Sequence, residues 1–331
     1  MTNRRPVSAL AVALLLLATV SFPAAQPAAG RFQLHFINVG QADATLIMDG
    51  AKKCVIVIDS GDTRYPASAK DFKEYLQKQL PDNAEIALAL VSHPHNDHLG
   101  SMRWVLETYR VKSFIDNGQK YPSKIYETLM ATVHKQRQQG HLKYYAYESV
   151  PASAETVCGA DGPRVHVLYP QVGLDEDNCA ANANNCSVVT KINFGQTSFL
   201  FPGDAEEEQE EILLQDAKIK PQLRSTVLKV PHHGSDTSSS QEFLDAVRPT
   251  VMVISAGKKD VGTNKGYKHP RLSTVVRLLA FAGPRTGSEM LDVYDADKRN
   301  WTQIQVWGRL HVTSKDGTVV LSDKGTIITS P

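Results

Sequence analysis

The sequence predicts a mixed α/β (α+β) fold in which two β-sheets pack face to face between outer layers of helix, with polar clusters along one shared edge. Three observations lead there. Apolar runs of strand length come first and stretches of helical spacing after them, and this order occurs twice along the chain. Four of the runs end in residues suited to metal: the stretch from His93 to His98, then Asp204, then His232-His233, then His269. Ligands of open α/β sheets collect at the carboxyl ends of strands. Finally, 331 residues with 42% hydrophobic and 21% charged side chains are ordinary for a globular domain of this size.

Each element has its own signal. Arg4 and Arg5, an apolar run from Ala9 to Val20 and small residues up to Gly30 have the layout of a secretory signal peptide over residues 1–30. The expectation is a secreted or periplasmic protein with no stable membrane anchor after processing, and a single domain over residues 31–331. Residues 32–39 alternate like a half-buried strand, and residues 44–48 and 54–58 make a hairpin around Asp49-Gly50. Residues 65–80 form an amphipathic helix stopped by Pro81, residues 85–91 a buried strand, and residues 99–109 the next helix. A strand (112–115), a helix (123–139), two more strands (144–147 and 164–169) and an Asn-rich loop (173–186) follow. The second half reads as a hairpin (187–193 with 197–201), a helix (205–216), a strand (225–230), a helix (241–247), a strand (250–254) and a helix (272–282). Residues 290–331 read as a terminal β meander.

A formal net charge of +1 gives no sign of bulk attraction to nucleic acid or membrane. Cys54, Cys158, Cys179 and Cys186 permit two disulfides, in three connectivities, in an oxidising compartment. Cys54, inside an apolar run, reads as a candidate free thiol. None of the four has zinc-finger spacing.

The chemistry centres on His93-Pro94-His95-Asn96-Asp97-His98. His93 and His95 are two apart, so in extended backbone their imidazoles point to one side. Asp97 and His98 follow on a turn and reach a neighbouring position. One hexapeptide can thus serve two metal ions roughly 3.5–4 Å apart, the spacing two-metal hydrolases use. It cannot close such a site alone, so further ligands must come from other strand ends. Asp204 is one, as a bridge between ions, although a strand-end Asp also suits a helix cap. Asp59 is as readily a cap as a support for a metal-bound His. Adjacent His232 and His233 should face different ways, one to metal and one to substrate. His269 sits among Lys258, Lys259, Lys265, Lys268 and Arg271, the one local basic concentration. His35 and His166 read as packing or surface residues, His134 and His141 as solvent-facing.

These stretches resemble the metallo-β-lactamase-fold hydrolase superfamily, in the branch related to the soluble domain of the competence protein ComEC and to secreted phosphorylcholine esterases. The likeness rests on the run from Phe36 to Asp43, Ile58-Asp59-Ser60-Gly61, the His93–Gly100 motif, Asn185-Cys186-Ser187-Val188, Pro202-Gly203-Asp204, the run from Leu228 to Ser235, and the region from Gly257 to His269-Pro270. It implies a four-layer αββα sandwich with two divalent ions, usually zinc and sometimes manganese. By resemblance His93 and His95 bind one ion, Asp97 and His98 the other, and Asp204 bridges them. His232 or His233 completes the first site, with His233 taken as the ligand and His232 as facing substrate; His269 completes the second. Asn185, Ser187 and Lys268 are expected near substrate, with Asp43 and Asp59 behind the ligands. Asp97, Asp204, His232 and His233 form the expected catalytic group. Ala42 and Ser101 stand where the pattern favours Gly, and no His lies between His166 and Asp204, where many members carry a ligand.

The expected function is a secreted two-metal hydrolase acting through a metal-bridging hydroxide on an anionic phosphodiester, either nucleic acid or a small diester. The alternatives are a β-lactam or other amide/ester hydrolase on the same site, and a metal-bearing binding protein without turnover.

Overall fold

Alternation along each strand decides what its two faces meet. In β2 (Ala44–Asp49) and β3 (Val55–Ser60), Leu46, Met48, Val55 and Val57 pack toward helices, while Ile47, Ile56 and Ile58 turn the other way, toward a second sheet. The computed structural model describes residues 31–151, 156–169, 179, 181–285, 287 and 289–328. The expected signal peptide and half of the loop at 173–186 lie outside them.

The first sheet has seven strands in the order β17-β1-β2-β3-β5-β7-β8, adding β1 (Phe32–Phe36), β5 (Leu88–Leu90), β7 (Ser113–Asp116), β8 (Lys143–Ala146) and β17 (Val319–Ser322). The second runs β16-β13-β12-β11-β10-β9, from β9 (Arg164–Val167), β10 (Thr190–Phe194), β11 (Thr197–Phe201), β12 (Val227–Lys229), β13 (Val251–Ile254) and β16 (Leu310–Val312). Between the sheets lies one apolar layer, in which Phe36 stacks on Phe201 with ring centroids 5.9 Å apart. A second core joins the first sheet to helices Pro66–Gln79, Met102–Thr108 and Lys124–Gln138. A third joins the second sheet to helices Glu207–Gln215, Gln241–Val247 and Leu272–Leu279. Each fully buried Phe or Leu contributes about 1.5–3 kcal/mol. The result is the predicted four-layer αββα sandwich.

Register brings the chemistry to one edge. β3, β5 and β7 are parallel, as are β11, β12 and β13. Their carboxyl ends therefore carry Asp59, His93, Asp204, His232 and His233 to the same rim of the sandwich.

Several expectations change in detail. The run at 85–91 is two strands: β4 (Glu85–Ile86) pairs with β6 (Arg110–Val111), and only β5 joins the large sheet. The helix after the His motif is broken into Asn96–Leu99 and Met102–Thr108. There the Gly100 and Ser101 N–H groups donate to Gly61 O and Ser60 O instead of continuing the helix. The terminal strands are not a consecutive meander. β14 (Glu289–Asp295) and β15 (Asn300–Val306) form a separate two-stranded sheet, β16 extends the second sheet beside β13, and β17 crosses to the first beside β1. Val319 and Leu321 bury into the inter-sheet core, and their alternation alone could not say which sheet they would join. Cys54 is not a free thiol: it is bonded to Cys158, and Cys179 to Cys186. Among the described residues no helix is long and apolar enough to cross a membrane.

Candidate metal centre

The centre is built from turns that put charged side chains where backbone strain is required. Asp59 ends β3 at φ +57°, and His232 and His233 follow one another at φ +47° and +52°. Left-handed backbone at a non-glycine residue costs of order 1–3 kcal/mol and persists only where surroundings enforce it. At His232-His233 it curls the chain so that both rings reach the same carboxylate. The two rings are nonetheless anchored apart: His233 is buried with Nδ1 on Ser255 O, while His232 turns Nδ1 to Glu206. Gly203 must be glycine: a Cβ there would stand 2.8 Å from Ser187 Oγ and from Ser92 Cβ. Its absence lets Asp204 enter the site, where the Asp204 N–H donates to Ser187 Oγ at 3.0 Å.

Asp204 is the hub. Its Oδ2 lies 3.1 Å from His98 Nε2, 3.4 Å from His233 Nε2, 3.9 Å from His232 Nε2 and 4.0 Å from His93 Nε2. His93 Nε2 faces His95 Nδ1 at 2.9 Å, and His233 Nε2 is 3.6 Å from Asp97 Oδ2. Among the described residues four overlapping sets of possible ligand atoms fall within 4.8 Å of one another: His93-His98-Asp204, Asp97-His98-His233, Asp43-Asp204-His233 and Asp43-Asp59-His98. His95 and His269 lie outside these sets. His269 is buried with Nδ1 3.2 Å from Gln41 Nε2, and its ring stands 5.4 Å from that of His232.

A ring of hydrogen bonds fixes the imidazoles from behind. Asp59 accepts from Ser92 N–H and Ser92 Oγ, both at 2.8 Å, and sits 2.9 Å from His98 Nδ1. His233 Nδ1 meets Ser255 O at 2.9 Å and lies 3.4 Å from Asp43, which also pairs with the buried Lys229. His232 Nδ1 lies 3.1 Å from Glu206 Oε1, and Glu206 accepts from Asn182 and Asn184.

Electrostatics divides the histidines. Burial, reinforced by His98, holds His93 well below the usual range, and burial likewise lowers His95 and His269. Burial alone would lower His98 too, but Asp204 and Asp59 outweigh it and raise it well above. Asp204 and Asp43 raise His233 against the same opposition. Asp97 and Asp204, which burial would raise, are pulled low by the same histidines.

His98 Nε2, His233 Nε2 and Asp204 Oδ1 converge in the interior without a hydrogen-bond partner among the described residues. Buried polar atoms are ordinarily paired. Unpaired imidazole nitrogens aimed at a shared carboxylate are the donor set of a divalent metal. The residues present therefore fit the metal the sequence predicts.

A cavity of about 620 Å³ opens over this cluster. His95, Asp97, Asp204, His232, His233 and His269 line it, together with Arg64, Tyr121, Lys124, Asn184 and Tyr267, which sequence reasoning missed because none stands in a motif. Three expected substrate residues do not line it. Asn185 is turned to Glu208 and the Glu206 N–H, Ser187 supports Asp204 from behind, and Lys268 lies over the Tyr294 ring at 4.7 Å.

Residues 37–179 match the family model described as the metallo-beta-lactamase superfamily. Over that segment the chain carries a metallo-β-lactamase superfamily domain. This match and its metal-dependent hydrolase relatives support a metal-dependent hydrolase. It is 27% identical over 263 residues to "ComE operon protein 3" of Bacillus subtilis, covering 75% of this chain and 30% of that protein. It is 27% identical over 250 residues to "Recombination protein 2" of Haemophilus influenzae, covering 75% of this chain and 26% of that protein. The chain thus spans under a third of the length of these curated relatives. A solved structure, that of the metallo hydrolase Igni18 from the archaeon Ignicoccus hospitalis, aligns with 82% of this chain and 98% of its own at 17% identity and a TM-score of 0.45.

Proposed function

We propose that this superfamily protein is an exported two-metal phosphodiesterase. The observation that carries the reading is Asp204, whose one carboxylate stands within 4.0 Å of four imidazoles. A single carboxylate so placed suits two adjacent ions better than one. His93, His95 and Asp204 would hold one ion, and Asp97, His98, His233 and Asp204 the other. This moves His233 from the first site, where resemblance put it, to the second, and leaves His269 against Gln41. A pair of divalent ions, zinc or manganese, lowers the pKa of bound water toward neutrality and offsets charge on a phosphoryl group.

The chain's own residues prepare that chemistry. Asp59 beside Nδ1 of His98 and Ser255 O beside Nδ1 of His233 suit a proton on Nδ1, so with an ion bound both Nε2 lone pairs would face it. Glu206 orients His232 at the cavity wall. The cavity's two cations, Arg64 and Lys124, suit an anionic diester over a neutral amide. Two disulfides suit export to an oxidising compartment.

The test compares bis-p-nitrophenyl phosphate, single-stranded DNA and a chromogenic cephalosporin, each with and without chelator. Chelator-sensitive cleavage of a phosphodiester is expected, and the DNA arm separates a nuclease from a small-diester esterase. Cleavage of the cephalosporin alone, or of nothing by protein holding two metals, overturns the reading.

A further inference from the structure

Among the described residues Arg64 is the one arginine in the cavity lining, and its surroundings set it in place. Its Nε lies 3.1 and 3.2 Å from the two oxygens of Asp62, and its Nη2 lies 2.9 Å from Oδ2. Asp62 is buried, and its Oδ1 also accepts from the Arg64 N–H at 2.7 Å and from Asn96 of the His motif. Gly100 allows this contact: a Cβ there would stand 2.3 Å from Gly61 O and 2.8 Å from Thr63 N. On the other side the Tyr65 ring packs over Gly262 and Gly40, which further pins the turn. The turn from Gly61 to Tyr65 is therefore locked to the metal-binding hexapeptide. Arg64 Nη2 ends 3.7 Å from Asp97 Oδ1, while its side chain remains 48% exposed. No hydrogen bond from Nη1 is found among the described residues.

A guanidinium held on one edge by a carboxylate, with its other edge open beside a metal cluster, is a pre-organised anion fork. Lys124, also in the cavity lining, is 86% exposed and among the described residues pairs only with Glu127 at 3.4 Å, so it lacks that definition. We propose that Arg64 is the specificity-determining residue of the site: it binds the anionic oxygen of the diester, and Asp62 positions it. This rests on the phosphodiesterase reading above. It predicts selection for substrates bearing a negative charge next to the scissile bond, over neutral esters of similar size.

The experiment uses the metal-loaded, full-length protein and its Arg64→Ala, Arg64→Lys and Asp62→Asn variants. Three quantities are read: bound metal per chain, calorimetric affinity for the unreactive anion dimethyl phosphate, and kcat and KM for bis-p-nitrophenyl phosphate and p-nitrophenyl acetate. Arg64→Ala should keep its metal, weaken dimethyl phosphate about tenfold or more and lower kcat/KM for the diester about 10–100-fold, with the acetate changed less than about twofold. Arg64→Lys should restore only part of the loss, because a lysine lacks the fork. Asp62→Asn should raise KM for the diester more than it lowers kcat. Equal losses on both substrates, or loss of metal from Arg64→Ala, would make the residue a support for Asp97 and overturn the proposal. Unchanged dimethyl phosphate affinity would overturn it as well. If the wild type cleaves no diester, the functional reading itself has failed, which the wild-type arm reports separately.

Discussion

His98 Nδ1 lies 2.9 Å from Asp59 Oδ2, so a strained residue at the end of β3 sets which nitrogen of a buried imidazole faces the centre. Replacing Asp59 with Asn places an amide there. The amide N–H₂ would donate to Nδ1, move the ring proton to Nε2 and remove a lone pair from the cluster. Asp59→Asn should weaken metal binding about 10–100-fold, measured by chelator competition, with little change in the melting temperature of the metal-free protein. Unchanged affinity would show that the tautomer is set elsewhere.

How much of this was legible in the sequence differs by level. The hexapeptide carried its own geometry, because the two-residue spacing of His93 and His95 in extended backbone puts both rings on one side. Strand ends announced Asp204, His232 and His233. Direction was less legible. Ordinary backbone would not bring His232 and His233 to one carboxylate, whereas consecutive left-handed residues bring both Nε2 atoms to Asp204 and leave their Nδ1 atoms on Glu206 and Ser255 O. Lys268 was placed near substrate by its basic neighbours, but Tyr294, on a strand expected in the terminal meander and found in a separate two-stranded sheet, takes its ammonium. Arg64 was invisible because its role depends on a carboxylate two residues back and a glycine thirty-six residues on. Pairing of Cys54 with Cys158 crosses 104 residues, with no local signal.

Lys268 supplies a direct check. Its ammonium lies 4.7 Å from the Tyr294 ring centre and 3.5 Å from the hydroxyl, away from the cavity lining. Lys268→Ala should change KM for an anionic diester less than about twofold, where Arg64→Ala changes it strongly, and should cost about 0.5–1 kcal/mol of stability through the lost cation–π contact. A rise in KM matching that of Arg64→Ala would return the basic loop to substrate binding.

The two disulfides should differ in weight. In the chain-entropy account a cross-link stabilises by restricting the unfolded chain, more so for longer loops. Cys54–Cys158 spans 104 residues and Cys179–Cys186 spans 7. Removing the first by Cys54→Ala with Cys158→Ala should cost about 4–5 kcal/mol, and removing the second by Cys179→Ala with Cys186→Ala about 2–3 kcal/mol. Urea denaturation of both double variants measures the order, and a larger loss from the short loop would show that native contacts, not chain entropy, dominate.

His35 gives an acid limit independent of the metal cluster. It is buried on β1, with Nδ1 2.7 Å from the Tyr75 hydroxyl and Nε2 3.2 Å from Gln33, and burial pushes its pKa down to about 4. The native state therefore favours neutral imidazole, while the unfolded chain takes up a proton near the ordinary value of 6.5. Stability from this residue is complete above 6.5 and is lost progressively as pH falls from 6.5 to about 4, by at most about 3.4 kcal/mol. Carboxylates of the centre also respond to acid, so the informative quantity is a difference. His35→Gln keeps a polar partner for Tyr75 but does not titrate. Between pH 6.5 and 4.5 its metal-free melting temperature should fall less steeply than that of the wild type. Parallel profiles would mean that the imidazole is hydrated enough to protonate in place.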